Sequence, residues 1–235
     1  MYHNQIFTIT NELIEKISET QEANILKAAR MITETIKNGG IIQAFGSGHS
    51  IGGAMEIFHR YGGLAPVKKL AEPSGGTYER IEGIGRLYLK DTEILPEDTV
   101  IVISHSGRNA LPCEVALVAK ERGAKVIAVT SIAASSELTP GHSCGKHLYE
   151  IADVVLDTQV APGDAMATVA GVDSKICGMS SIATSIMLQA TVYEAVQMMV
   201  AEGIKPPVRF VQSKDTNPND LMDIEKKYSY RLLRK

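Results

Sequence analysis

Short apolar runs alternate with helical stretches along most of this chain. The runs have the length of strands, and turn or charged residues bound each of them, at residues 41–45, 100–103, 126–129 and 153–156. The predicted helices between and after them cover residues 50–60, 77–89, 109–122 and 176–202. Strands that alternate with helices form parallel sheets with right-handed crossovers. The pattern therefore predicts an α/β protein with a doubly wound parallel sheet, to which residues 67–70 add another short strand.

Two more helices are predicted at the ends of the chain. Apolar positions at helical spacing favour a helix over residues 10–37, which the pair Gly39-Gly40 ends, and a last helix over residues 220–233. The 235 residues fit one domain without a long linker. The apolar stretch 176–202 and the amphipathic stretch 10–37 offer more apolar surface than one small sheet needs. We therefore expect a homodimer or homotetramer.

Composition argues against two classes of partner. The net charge is −3 and there is no basic stripe, so no nucleic-acid partner is expected. Residues 176–193 carry no formal charge, but six hydroxyl or amide side chains among them make a membrane span unfavourable. The three cysteines are scattered, and the first residues lack the basic start and apolar core of a signal peptide. These features predict a cytoplasmic protein.

Two loops rich in glycine and serine carry the main functional signal. Gly46-Ser47-Gly48-His49-Ser50 and Ser104-His105-Ser106-Gly107-Arg108-Asn109 each follow an apolar run and precede a predicted helix. Glycine lets a ligand approach the backbone, hydroxyls donate, and helix starts present unpaired N–H groups, so such loops bind anions. Neither loop has a Walker lysine. Together they predict a site for a phosphorylated small molecule beyond the carboxyl ends of the strands.

A third group of hydroxyls lies where the 176–202 helix opens. Ser180, Ser181 and Thr184 are predicted to face the same edge of the sheet, although helix capping or bonding to helix carbonyls explains them equally well. A turn at Gly163 is expected to direct Asp164 toward the site.

The loops resemble those of the sugar isomerase (SIS) domain family. The shared features are G-x-G-x-S and S-x-S-G-x-[TN] in this order, then A-K-V-I-A-V-T at residues 124–130 and a Ser/Thr-rich helix start. The resemblance covers residues 30–200 and implies a flavodoxin-like, five-stranded parallel sheet flanked by helices. It implies one SIS domain over residues 1–235, with an N-terminal helix and a C-terminal extension at 204–235. It also implies phosphosugar binding in sites completed by a second subunit, with Ser50, Ser104, Ser106 and Asn109 contacting phosphate.

Other features depart from the isomerases of this family. Arg108 stands where aldose–ketose isomerases carry Glu or Asp, and S-G-R resembles the muramic acid phosphate etherases and the glucokinase regulatory protein. Glu56 and Arg60 occupy the positions of a His and a Glu in phosphoheptose isomerases. The H-P-G-G histidine has no clear counterpart. An isomerase of phosphoheptose isomerase-like type is the leading hypothesis. A lyase acting on an N-acetylmuramic acid phosphate and a non-catalytic sugar-phosphate sensor remain alternatives.

Isomerisation needs a base that moves a proton between two carbons, and a carboxylate or an imidazole suits this step. The candidate catalytic residues are Glu56, His49, Glu79, Glu82 and Asp157, and Asp164 completes the list of candidate carboxylates. Glu79 and Glu82 are predicted to share one helix face. The predicted phosphate- or substrate-binding residues come from the two loops and the helix start: Gly46, Ser47, Gly48, Ser50, Ser104, His105, Ser106, Gly107, Arg108, Asn109, Ser180, Ser181 and Thr184.

No metal and no cofactor are predicted. Glu56-x-x-His59 and His142-x-Cys144-x-x-His147 each offer too few ligands for a closed site. Gly46, Gly48 and Gly52, with Glu72 further on, give a partial dinucleotide-binding pattern. The serine-rich second loop has no role in a dinucleotide site, which argues against that interpretation.

Overall fold

Five parallel strands form the central sheet of the protein, in the order β2-β1-β3-β4-β5. The computed structural model describes residues 5–210 and 218–233. The strands are β1 Ile42–Gly46, β2 Val67–Lys69, β3 Thr99–Ile103, β4 Lys125–Thr130 and β5 Val154–Asp157. Ile42 pairs with Val67 on one side and with Thr99 on the other. The predicted flavodoxin-like, five-stranded parallel sheet is confirmed.

Helices cover both faces of this sheet. They are α1 Gln5–Lys37, α2 Ile51–Ile57, α3 Ile84–Tyr88, α4 Ala110–Glu121, α5 Ile132–Ser136, α6 Leu148–Ile151, α7 Ser180–Ala201 and α8 Pro218–Leu233. Side chains alternate across β3, so that Ile101 and Ile103 enter one apolar core and Val100 and Val102 enter the other. The first core includes α1 and α7, and the second includes α4.

The stretch before α7 is a strand, where the sequence predicted helix from residue 176. Ile176–Gly178 (β7) pairs antiparallel with Ala165–Ala167 (β6) in a separate two-stranded sheet. The helix begins at Ser180 because the Asp164 carboxylate accepts the backbone N–H groups of Met179 and Ser180. The sequence analysis did not predict this hairpin.

The predicted helix over residues 77–89 is wrong for its first half, since α3 covers only Ile84–Tyr88. Backbone groups before α3 find partners outside a helix. The Glu79 carbonyl accepts the N–H of Leu111, and the Glu114 carboxylate accepts the N–H of Gly83. Glu79 and Glu82 consequently do not share a helix face. The helix predicted over 50–60 also ends early, at Ile57.

The terminal helices are longer than predicted. The first begins at Gln5 instead of residue 10, and the last begins at Pro218 instead of residue 220. Arg231 of α8 forms ion pairs with Glu93 and with the buried Asp98, which anchors α8 to the body of the protein. Residues 211–217 and 234–235 of the predicted C-terminal extension lie outside the described residues. Among the helices that the structure describes, none is long and apolar enough to cross a membrane.

Candidate functional site

A cavity of about 380 Å³ opens at the carboxyl ends of β1 and β3, and we call it the strand-end cavity. Four loop regions meet there, including both serine-rich loops, as the sequence predicts. The lining residues are Ser47, Gly48, His49, Ser50, Gly75, Gly76, Glu79, Ile103, Ser104, His105, Ser106, Asn109, Pro112, Asp164 and Ser180.

The first loop turns sharply after β1. A Cβ at Gly46 would lie 2.2 Å from the carbonyl oxygen of Ser50, so only glycine fits this turn. Gly48 adopts a φ of 56°, which glycine reaches at low cost. The Ser47 Oγ is buried, and no described residue bonds to it. An unpartnered buried hydroxyl beside a cavity is available to a ligand.

The second loop is held by bonds to its backbone. Gly107, with a φ of 56°, donates its N–H to Ser104 Oγ at 3.2 Å. Ser135 Oγ donates to the Ser106 carbonyl at 2.6 Å. Because Ser104 Oγ accepts the Gly107 N–H, its own hydroxyl proton can be donated to a ligand. The loop is thus rigid at its backbone and presents side chains to the cavity.

Residues 72–79 close a third side of the strand-end cavity. The Glu72 carboxylate accepts the N–H of Gly76 at 2.7 Å and the N–H of Ser74 at 3.0 Å, which fixes the turn. Gly76 lies close to the first loop, because a Cβ on it would be 3.1 Å from the Gly48 Cα. Glu79 then reaches the second loop, where its Oε1 accepts the Asn109 amide at 2.7 Å. Glu72 is therefore a structural residue and does not line the cavity.

Asp164 lies where the β6–β7 hairpin meets α7. Its Oδ1 accepts the backbone N–H groups of Met179 and Ser180, and its Oδ2 accepts the Ser180 hydroxyl at 3.0 Å. Its φ of 68° is rare for a residue with a side chain and is typical of functional or tightly constrained positions. Asp164 lines the strand-end cavity, where the sequence placed it.

The charges around the cavity are unusual for an anion site. Among the described residues, no lysine or arginine lines it, whereas two carboxylates (Glu79, Asp164) and two imidazoles (His49, His105) do. Burial lowers the pKa of His105, and the nearby Asp164 carboxylate partly opposes that shift. An anion bound here would be held by hydroxyl and backbone N–H donors, and no lysine or arginine of the described residues would neutralise its charge.

Three of the predicted catalytic carboxylates lie outside the cavity. The Glu56 side chain lies between α2 and α7, where its Oε1 accepts hydrogen bonds from the Arg60 guanidinium at 2.7 Å and from the Gln189 amide at 2.8 Å. Glu82 accepts the backbone N–H and the hydroxyl of Ser143, bonds that hold its pKa below its usual range. Asp157 accepts the Ile132 N–H at 3.1 Å and the side chain of Gln159 at 2.7 Å. Of the predicted carboxylates, Glu79 and Asp164 line the cavity.

Five predicted binding residues do not line the strand-end cavity. Two of them, Gly46 and Gly107, shape the turns of the two loops. The Arg108 side chain does not line the cavity, and the Arg108 Nε is buried without a partner among the described residues. Ser181 and Thr184 line a smaller adjoining cavity instead. Gly75 and Gly76 also line the strand-end cavity and were not predicted to do so, although two adjacent glycines are a signal for a close turn. The sequence analysis also missed Thr158, a hydroxyl directly after β5.

The two metal leads do not form a ligand cluster. His59 contacts Arg209 at 3.1 Å, while His142 and His147 bond to different neighbours. Among the described residues, no three His, Cys, Asp or Glu side chains are grouped to hold a metal ion.

Comparison with known proteins agrees with the fold and the motifs. Models of the SIS domain match residues 6–131 and residues 89–188 of the chain. A UPF0309 protein of Listeria monocytogenes serovar 1/2a is 42% identical over 226 residues, which cover 96% of this chain and 97% of that relative. A UPF0309 protein of Halalkalibacterium halodurans is 40% identical over 207 residues, or 84% of this chain and 86% of the relative.

Solved structures show the same fold at low sequence identity. The phosphoheptose isomerase of Neisseria gonorrhoeae superposes with a TM-score of 0.57 at 16% identity, covering 82% of this chain and 96% of that one. The phosphoheptose isomerase of Francisella tularensis gives a TM-score of 0.55 at 17% identity, covering 83% and 96%.

Proposed function

Because the chain belongs to the SIS-domain family, we propose that it binds a phosphorylated sugar in the strand-end cavity and interconverts the aldose and ketose forms. The observation that carries this proposal is the convergence of the serine-rich loops on Glu79 in a cavity of about 380 Å³. The other carboxylate there, Asp164, accepts bonds from the start of α7 at both of its oxygens. That volume suits a sugar phosphate.

The phosphate would be bound by uncharged donors. Ser47, Ser50, Ser104 and Ser106 offer hydroxyls, and the turn at Gly48 exposes backbone N–H groups. Hydrogen bonds to a charged acceptor are stronger than neutral ones, so several such donors can replace a lysine.

Glu79 is the proposed base for the carbon-bound proton. Its Oε1 is held by Asn109, and Oε2 would take the proton from C2 of the aldose phosphate to give an enediol. The same carboxyl group would return the proton to C1, which yields the ketose phosphate. The reaction needs no external oxidant or reductant, because one proton leaves a carbon and one returns to its neighbour.

We also propose that the chain self-associates through the outer face of α7. Tyr193 and Val200 are 63% and 58% exposed there, and Ile182 and Ile186 are more than a third exposed. Since the opposite side of α7 is packed against α1, the helix is apolar on both sides and suits burial by a second copy.

Light scattering should give a dimer or tetramer that Tyr193→Asp dissociates. Tyr230→Asp, on the equally exposed Tyr230 of α8, should leave the assembly unchanged. A monomeric wild type would contradict this proposal.

Ligand binding is tested by thermal shift with pentose, hexose, heptose, N-acetylhexosamine and muramic acid phosphates, each beside its unphosphorylated parent. A ligand at 100 times its Kd adds about 2.7 kcal/mol to the free energy of unfolding. We expect one phosphosugar to stabilise the protein and its parent to leave it unchanged. Equal effects of both, or none with any, would overturn phosphosugar binding.

The same panel addresses the two alternative functions. Preferential binding of the muramic acid phosphate would favour a lyase. A sensor would be favoured if the wild type bound the phosphosugar without any turnover and the Glu79→Gln variant bound it equally well.

A further inference from the structure

A second, much smaller cavity adjoins the strand-end cavity at His105. Its volume is about 10 Å³, room for about one water molecule, and its lining includes His105, Thr158, Ser181 and Thr184. The first loop and β3 contribute to both cavities, so they share one wall.

Two of the polar side chains around the small cavity, Thr158 and His105, have no partner among the described residues. Thr158 is 1% exposed, and no described residue bonds to its Oγ1. Both ring nitrogens of His105 are also buried and unbonded. A buried polar atom without a hydrogen bond is costly, so three of them beside one cavity favour a polar molecule as its ligand.

The position of His105 is set by its backbone and not by its ring. The His105 carbonyl accepts the Ser131 N–H at 3.0 Å and the Thr130 hydroxyl at 3.2 Å. His105 thus lines both the ligand cavity and the small cavity, with neither ring nitrogen engaged by the described protein. A neutral imidazole needs one donor and one acceptor partner to be satisfied.

We infer that one water molecule in the small cavity bonds to Thr158 Oγ1 and one His105 nitrogen, and that His105 is thereby held as a second acid–base group of the site. The catalytic part of this inference rests on the proposed isomerisation. Thr158 is a positioning residue that acts through the water. The water fixes which nitrogen carries the proton, and the other nitrogen faces the bound sugar.

The chemistry complements that of Glu79. While Glu79 removes the proton from C2, the imidazole N–H gives its proton to the carbonyl oxygen on C1, and the enediol forms. The imidazole then takes the proton from the hydroxyl on C2 as Glu79 protonates C1. Both groups end in their starting protonation states, so the cycle is balanced.

The water subsite is tested without any sugar by ring nitrogen-15 NMR of the whole protein. The chain has six histidines, and His105→Gln identifies the His105 signals by their loss. We expect a single neutral tautomer in the wild type, a changed tautomer ratio in Thr158→Val, and wild-type signals in Thr158→Ser. Thr191→Val is the matched control, because the buried Thr191 donates to the Met187 carbonyl far along α7. Identical His105 signals in wild type and Thr158→Val would overturn the subsite.

The catalytic part is tested by turnover of the sugar phosphate that stabilises the wild type. His105→Gln should lower kcat by about 100-fold or more while ligand binding stays within a few-fold. An active wild type whose turnover His105→Gln leaves unchanged would overturn the inference and spare the proposed function. If the wild type turns over no sugar phosphate, the proposed isomerase and the catalytic part both fail, and the NMR result alone decides the water subsite.

Discussion

The Asn109 side-chain amide donates a 2.7 Å hydrogen bond to Glu79 Oε1. Asn109 directly precedes α4 at the end of the second serine-rich loop, yet its side chain caps no backbone N–H of that helix. It instead joins the loop to the segment before α3. This bond connects the part of the site suited to phosphate with the carboxylate suited to proton transfer.

Gly107 should be intolerant of a side chain. A Cβ there would lie 2.7 Å from Thr130 Oγ1 and 2.8 Å from Ser135 Oγ, at a φ of 56°. Gly107→Ala should lower the free energy of unfolding by about 2–4 kcal/mol, from backbone strain and overpacking together. Urea unfolding measures the loss. The control is Gly145→Ala, at a φ of 68° with open space around it, for which strain alone predicts about 1 kcal/mol. Equal losses in the two variants would refute close packing at Gly107.

Glu114 anchors the segment that carries Glu79. It is 1% exposed, and its two carboxylate oxygens accept the N–H groups of Gly83 and Gly85. Glu114→Gln would turn a donor toward one of these N–H groups, at a cost of about 1–3 kcal/mol. Hydrogen exchange should accelerate at Gly83 and Gly85.

The exposed Glu82 provides the comparison for that experiment. Glu82→Gln alters a carboxylate that bonds Ser143 at the surface, so exchange at Gly83 and Gly85 should stay at the wild-type rate. Unchanged exchange in Glu114→Gln would mean that the carboxylate does not hold the segment.

Much of the fold was predictable because its signals are local. The apolar runs at β1, β3, β4 and β5 are short, buried and separated by helices, and a parallel sheet follows from that alternation. The segment 72–83 was not predictable in this way. Its long-range backbone bonds are made to Leu111 and Glu114, which lie some thirty residues further along the chain, and a helical residue pattern cannot reveal them.

The site was predictable where the chain itself shapes it. Gly46 and Gly107 are required by the close approach of neighbouring atoms, and serines adjoin both of them in sequence, Ser47 after Gly46 and Ser106 before Gly107. Which of Glu56, Glu79 and Glu82 enters the site was not predictable, because the direction of a side chain depends on tertiary contacts. Glu56 has the favourable position on the helix after the first loop, yet it turns toward Arg60 and Gln189.

The free energy of unfolding should depend on the ionisation of His105. Burial lowers its pKa below 6.5 in the folded protein, with Asp164 opposing. Between the folded pKa and 6.5 the unfolded chain binds more protons than the folded one, so the stability contributed by neutral His105 falls as pH decreases through this window. Urea unfolding between pH 5 and 7.5 should show a shallower decline for His105→Gln than for the wild type. Parallel curves would contradict the pKa shift.

The most direct test of the proposed isomerisation is deuterium incorporation from D₂O at C1 or C2 of the sugar phosphate that stabilises the protein, followed by proton NMR. The wild type should exchange this proton. Glu79→Gln should slow exchange by about 100-fold or more while still binding the ligand. Glu56→Gln, which removes a carboxylate outside the cavity, should stay within a few-fold of the wild type. A wild type that binds the sugar phosphate without exchange, or a Glu79→Gln variant that exchanges at the wild-type rate, would contradict the account.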